Sequence, residues 1–148
     1  MSARPIGADW VVFGCDHHQF GVPIQRVREI VTPLPFTRLP GSGPEICGLI
    51  GLRGRVVTVI DFGAAFGIRR SSERADFRIV LLDRGEALVG LAVERVVGVA
   101  RTGRELELPG ASLAVLDAGR EELLGVSALD GSPFVVTDPD RILDRLLE

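Results

Sequence analysis

Two stretches of this chain match each other in order, and that match limits the fold more than any single motif does. Phe20-Gly21-Val22-Pro23-Ile24-Gln25-Arg26-Val27 lines up with Val89-Gly90-Leu91-Ala92-Val93-Glu94-Arg95-Val96, with Gly, Arg and Val coinciding at one offset. A second pair of blocks follows: Gly54 stands seven residues before Asp61, and Gly131 seven before Asp138. Each pair encloses an apolar β-branched strand and is followed by a short apolar helix. The offset drifts between blocks, as loop insertions cause. The pattern predicts two similar β-rich halves, about 9–67 and 77–138, within one domain spanning residues 1–148, and a C-terminal helix over about 139–147. Each half has too few strands to bury a two-sided core. The halves are therefore expected to pack together, their interface becoming the main core, with small sheets or barrels hiding their edges by closing.

The local pattern fills in the elements. Trp10 to Cys15 and Phe20 to Ile24 read as a hairpin around the polar turn Asp16-His17-His18-Gln19. Gln25 to Ile30 reads either as a helical turn or as a continuing strand. Pro33, Pro35, Pro40 and the Gly41-Ser42-Gly43-Pro44 run mark a loop. Gly48 to Phe62 is a second hairpin, whose β-branched run Val56 to Ile60 ends at Asp61, an N-cap for a short helix. Gly67 to Asp76 is a polar connector, its Arg69 and Arg70 read as a solvated face. Phe77 to Leu82, Ala87 to Glu94, Arg95 to Arg101, Leu113 to Leu116, Leu123 to Leu129 and Pro133 to Thr137 are strand candidates, with a loop over Thr102 to Ser112. Asp130-Gly131 is a hairpin turn. Asp138 caps the final helix, with Pro139 at its first position and Ile142, Leu143, Leu146 and Leu147 on one face.

The two equivalent hairpin corners differ. One is Leu52-Arg53-Gly54, the other Leu129-Asp130-Gly131. Asp-Gly suits a tight turn, whereas Arg has no turn propensity to recommend it. Arg is usually a solvated turn residue, but the comparison shifts Arg53 toward a functional role. Glu29 and Arg53 are the two charges in the most apolar local contexts. If they face each other they form a charge-assisted pair, bidentate in the best geometry. Such a pair adds little affinity when solvated but fixes geometry and partner choice. Val27, Ile30, Leu49 and Leu52 would supply the apolar centre around it, or else are simply core.

Composition excludes several function classes. The chain is 46% hydrophobic with a net charge of −3, and all 17 basic residues are Arg, so it offers no basic excess for a nucleic-acid backbone. No apolar run approaches the roughly 20 residues a spanning helix needs, and the N-terminus lacks a signal-peptide core. The expectation is a cytoplasmic protein without direct membrane insertion. Cys15 and Cys47 read as buried thiols rather than a disulfide framework. No P-loop, HExxH, nucleophile elbow or dinucleotide fingerprint is present. Cys15, His17 and His18 suggest a metal or small-ligand sensor as an alternative, although His18 would point away from the other two on a strand. Glu105 and Glu107 read as solvated loop charges. No cofactor, metal site or catalytic set is expected; what remains is a surface for binding other proteins.

The residues that carry this reading resemble the CheW-like domain of bacterial chemotaxis. They are Phe20 to Ile24, Val27-Arg28-Glu29-Ile30, Leu39-Pro40, and Cys47-Gly48-Leu49-Ile50-Gly51-Leu52-Arg53-Gly54 running into Val56 to Asp61. Val89 to Val96 and Leu123 to Asp138 add to them, so the resemblance covers about residues 9–146. It implies a mainly β fold of two SH3-like five-stranded β-barrels packed around a shared hydrophobic core, with short helices and a C-terminal helix. It also implies a non-enzymatic scaffold that couples the regulatory domain of a CheA-type histidine kinase to the cytoplasmic tip of methyl-accepting chemoreceptors, at receptor arrays on the inner membrane. The receptor's helical hairpin would lie in a groove between the barrels. The coupling residues the resemblance implies are Val27, Glu29, Ile30, Gly48, Leu49, Arg53 and Gly54, with Val93, Val96 and Val99 for a groove on the second barrel. This chain departs from the family pattern at Gly51, where Asn is common, at Glu94, where Asp is common, and at Phe20-Gly21, where an aromatic-Ala pair is common.

Overall fold

In the computed structural model, which describes residues 9–101 and 122–147, the described residues form ten strands and two α-helices. In chain order the strands are β1 (Trp10–Cys15), β2 (His18–Pro23), β3 (Val27–Val31), β4 (Ile46–Leu52), β5 (Arg55–Asp61), β6 (Arg78–Arg84), β7 (Ala87–Val93), β8 (Arg95–Ala100), β9 (Leu123–Leu129) and β10 (Ser132–Thr137). Helix α1 is Phe62–Ala65 and α2 is Pro139–Leu147. The expected hairpins and both helices are in place. The ambiguous 25–30 stretch resolves into both of its readings, a 3-10 turn at Ile24–Arg26 followed by β3. The expected loop at 102–112, the strand at 113–116, and Glu105 and Glu107 lie outside the described residues.

Two five-stranded sheets result, ordered β8-β1-β2-β10-β9 and β3-β6-β7-β5-β4. The mainly β, double SH3-like architecture is as expected, but the sheets do not follow the sequence halves. Each sheet takes a first hairpin (β1-β2 or β6-β7) from one half and its other three strands from the opposite half. Strand β2 pairs in parallel with β10, and β7 in parallel with β5. Neither segment 9–67 nor segment 77–138 is a sheet by itself. The chain changes sheets just after β2 and just after β7, inside the two matched stretches.

The three residues shared by those stretches each have a structural reason. Gly21 and Gly90 face barrel interiors on the central strands. A Cβ at Gly21 would lie 2.6 Å from Phe134 Cε2, and one at Gly90 would lie 2.8 Å from Ile79 Cγ2 and 3.0 Å from Val59 Cγ2. Arg26 and Arg95 staple each crossing to the first hairpin of the other half. Arg26 donates from Nε and Nη2 to the Asp83 carbonyl at 3.2 and 2.6 Å, and Arg95 Nη2 donates to the Asp16 carbonyl at 3.0 Å. Val27 and Val96 pack against the core between the sheets.

Period-2 alternation distributes side chains among three cores. In the first sheet, Trp10, Val12, Phe134 and Val136 fill its own barrel. In the second, Ile50, Val57, Val59, Ile79 and Leu81 do so. The alternate residues, Val11, Phe13, Phe20 and Val22 from one sheet and Ile60, Val80, Leu82 and Leu91 from the other, form the shared core together with Phe62, Phe66, Ile142 and Leu143. Phe13 and Phe20 each meet Phe62 edge-on, at 4.7 and 4.8 Å between centroids. Strands buried on both faces explain why the sequence runs are apolar without alternation.

The repeat extends to the caps. Asp61 N donates to the Glu45 carbonyl at 2.7 Å, and Asp138 N to the Glu122 carbonyl at 2.8 Å. Asp61 Oδ1 caps α1 at Ala64 N, and Asp138 Oδ1 accepts from Asp140 N.

Because interior glycines are steric requirements, Gly90→Ala should lower stability by about 1–3 kcal/mol. Gly51→Ala, where an added Cβ meets nothing within 4 Å, should change it by less than about 0.5 kcal/mol. Urea unfolding midpoints of the two variants check this.

Candidate functional site

An ion pair spans the gap between edge strand β3 of the second sheet and the turn after its other edge strand, β4. Glu29 sits mid-β3 opposite Leu81, and Arg53 occupies the turn between β4 and β5. Arg53 Nη2 donates to Glu29 Oε1 and Arg53 Nη1 donates to Oε2 at 3.2 Å, so the guanidinium and carboxylate meet fork to fork. The pair is at the surface, with the Arg53 side chain 65% and the Glu29 side chain 34% exposed. The hydrogen bonds from Arg53, then its charge, hold the Glu29 carboxyl below the usual glutamate range, and Glu29 in turn raises the Arg53 guanidinium. Solvent limits what such a pair contributes to stability.

The backbone at Arg53 is in the left-handed region, φ 47°, followed by Gly54 at φ 78°. The equivalent corner has Asp130 at φ 50° and Gly131 at φ 81°. Both are two-residue turns with two positive φ values, the conformation that matches strand twist. Asp tolerates it; a long side chain without a local hydrogen bond to offer does so less readily. An outlier of this kind at an exposed corner points to use of the side chain.

The repeat sharpens the contrast. Position for position, Val27 to Val31 corresponds to Val96 to Ala100, so Glu29 corresponds to Gly98. In the first sheet the corner closes on Leu129, whose Cδ2 lies 3.5 Å from where a Gly98 Cβ would be. One barrel has a glycine at this edge with Leu129 close by, and the other has an ion pair.

The other expected site residues divide. Ile30 is 40% exposed and Val99, its repeat mate, 46%. Val27 and Val96 are half-buried against the shared core, and Leu49 is half-buried beside Thr37, with which it exchanges two backbone hydrogen bonds at 2.8 Å. Gly48 is a packing residue: its φ is 137°, and a Cβ there would lie 2.4 Å from the Thr37 carbonyl oxygen. Gly54 serves the turn. Val93 is a correction, since it is fully buried in the shared core at the end of β7 and has no surface to offer a groove. Two exposed residues escaped the sequence reading, Val56 (73%) and Val97 (43%). Val56 faces Gly51 across the β4–β5 ladder. Inward Val57 and Val59 imply its outward direction.

Cys15, His17 and His18 do not converge. Cys15 points into the shared core and takes a contact from Ser71 Oγ at 3.3 Å. The His17 side chain is 93% exposed, and the His18 ring lies beside Phe20. Among the described residues no group of three or more His, Cys, Asp or Glu is placed to hold a metal. Burial pushes both thiols up to about 12, with the Asp61 charge the second cause at Cys47. Asp61 itself is fully buried and takes five donors: Ala64 N, Ser71 N, Ser72 N, Ser72 Oγ and, at 3.8 Å, Cys47 Sγ.

Two outcomes follow. Arg53→Asn should leave the melting temperature unchanged or slightly raised, since Asn accepts the left-handed turn. The depressed Glu29 titration, read by carboxyl NMR, should return to the ordinary glutamate range. In the native protein the pair persists as pH falls through that range and is lost only below it, as the carboxylate with its lowered folded pKa finally protonates. Separately, Cys15 and Cys47 should react with a thiol reagent at pH 8 more than ~100-fold slower in the folded than in the urea-unfolded chain.

The family model for the CheW-like domain matches residues 9–147. The chain is 27% identical over 143 residues to the chemotaxis protein CheW of Klebsiella aerogenes, covering 97% of this chain and 86% of that one. It is 27% identical over 136 residues to the chemotaxis protein CheW of Rhizobium meliloti, covering 92% and 87%. Its fold superposes on the crystal structure of the scaffolding protein TtCheW of Thermoanaerobacter tengcongensis with a TM-score of 0.76, at 26% identity and 90% coverage of each chain. A match over nearly the whole chain, on a double five-stranded architecture, establishes that this chain belongs to the CheW-like domain family.

Proposed function

We propose that this protein is a non-enzymatic coupling scaffold that joins the regulatory domain of a CheA-type histidine kinase to the cytoplasmic tip of methyl-accepting chemoreceptors, in chemotaxis or a related motility system. A scaffold role in chemotaxis is what its family and the named relatives support. No helix among the described residues is long and apolar enough to cross a membrane. The finer reading places the protein in receptor arrays at the inner membrane through its partners.

The observation that carries the reading is the Glu29–Arg53 pair. It closes one barrel at a corner where the other barrel manages with Gly98, Leu129 and Asp130. The ion pair is thus not what the fold needs to close. It presents a fixed, bidentate charge pattern at the surface, a polar group that orients a partner, as protein interfaces use. Kinase docking is assigned to this corner. Receptor docking is assigned to the seam between the sheets, where Ile30 pairs with core-facing Val80 and Val99 with core-facing Val11. A helical hairpin there would lay apolar positions against both barrels. Signal passage then requires only that receptor states differ in their contacts with scaffold and kinase.

Pull-down with the cognate kinase regulatory domain tests the reading, and Arg53→Ala is the decisive variant. It should keep the wild-type circular dichroism and melting temperature, weaken kinase binding at least ~10-fold, and uncouple receptor control of kinase activity in reconstituted arrays. Loss of folding would make Arg53 structural. Absence of kinase binding by the wild type would remove the coupling role.

A further inference from the structure

The second barrel carries a cavity that the coupling role does not use. It has a volume of about 560 Å³ and lies between the 36–47 segment and the connector after α1, lined among others by Phe36, Arg38, Ser42, Ile46, Cys47 and Arg70. We propose that it is a binding site for a phosphoryl group, free or carried by a small molecule.

Charge is the first argument. Two guanidiniums line the cavity. Arg38 is exposed and has no acidic partner among the described residues. Arg70 approaches Asp61 Oδ2 at 3.8 Å, beyond hydrogen-bond distance, and its buried Nε has no hydrogen-bond partner. Asp61 is already saturated by its five donors, so it stands behind Arg70 as a neutralising charge without taking its N–H. The Arg70 side chain is 36% exposed, and an oxyanion in the cavity would accept from its exposed guanidinium N–H groups. A further carboxylate beside a lining residue is that of Glu45, whose Oε1 lies 2.5 Å from where a Gly43 Cβ would be. Arg is the residue suited to planar, forked recognition of phosphate oxygens.

Size and lining are the second. The volume falls within the roughly 300–1,000 Å³ of small-molecule sites and exceeds what phosphate alone fills. The Phe36 ring at the wall is itself stacked on Phe77, with centroids 5.9 Å apart, which gives it a fixed orientation against which a planar group can lie. Ser42, whose Oγ donates to the Leu39 carbonyl at 2.7 Å, leaves its oxygen lone pairs toward a donor rather than an anion, so the anion contacts are assigned to the two arginines. The site also stands on the strand edge that ends at Arg53: Thr37, next to Arg38, exchanges backbone hydrogen bonds with Leu49 of β4.

Titration calorimetry and amide NMR at low salt, with three probes, test the proposal. They are inorganic phosphate, adenosine 5′-monophosphate and uncharged adenosine. Saturable binding of the monophosphate or of phosphate, with shifts confined to residues 36–47 and 70 and none from adenosine, is the expected result. Tighter binding of the monophosphate identifies a small-molecule carrier, and equal binding identifies free phosphate. Arg38→Ala and Arg70→Gln should each weaken binding at least ~10-fold. Arg70 borders the Asp61 turn, so an Arg70→Gln variant that unfolds is set aside; exposed Arg38 keeps the test decisive. No saturable binding of either anion at millimolar concentration, or binding that survives Arg38→Ala, overturns the proposal.

Discussion

The central strands bury residues on both faces over part of their length, and the shared core between the sheets is the constraint from which the rest follows. Val11, Phe13, Phe20 and Val22 reach it from one sheet, and Ile60, Val80, Leu82 and Leu91 from the other. Neither sheet covers that face alone. The chain reinforces the dependence by crossing between sheets twice, so each barrel is completed by strands from the opposite half. Unfolding one barrel strips strands from the other, which favours a single cooperative unit. Helix α2 then seals the core with Ile142 and Leu143, both fully buried.

Within this near-symmetric frame, the two corners are where the symmetry breaks. The crossings are equivalent: Gly21 and Gly90, Arg26 and Arg95, and Val27 and Val96 do the same work in both halves. The caps at Asp61 and Asp138 are equivalent as well. The corners are not. Glu29 and Arg53 form an ion pair where the other copy has Gly98 and Asp130, and Arg53 adopts a backbone conformation that Asp130 adopts more readily. Duplicated folds provide an internal control. What both copies keep, the fold requires; what one copy alone has is available for recognition.

Much of this was readable from residues alone, for local reasons. Hairpins are short-range structures, and β-branched runs bounded by Gly, Asp and Pro announce them. The pairing of Glu29 with Arg53 was inferred from two charges in apolar settings, and the geometry brings them together. The burial of Val93 was not legible, because an apolar strand residue looks the same whether it faces a core or a groove. The role of Gly48 was likewise hidden: its necessity comes from the Thr37 carbonyl, a contact made by a loop eleven residues away. Val56 escaped because its exposure depends on which face of β5 turns inward.

The amino-acid sequence by itself determined the elements, the repeat and the two unlike corners, since hydrophobic period, turn chemistry and capping act over a few residues. Tertiary structure decided which strands share a sheet. A repeat of strand-strand-crossing-hairpin can close on itself or exchange with its neighbour, and both arrangements satisfy the same local pattern. The exchange is settled by long-range terms: parallel pairing of β2 with β10 and β7 with β5, the arginine staples to the opposite hairpins, and burial of both strand faces at once. None of these can be read from residues that lie adjacent in the chain.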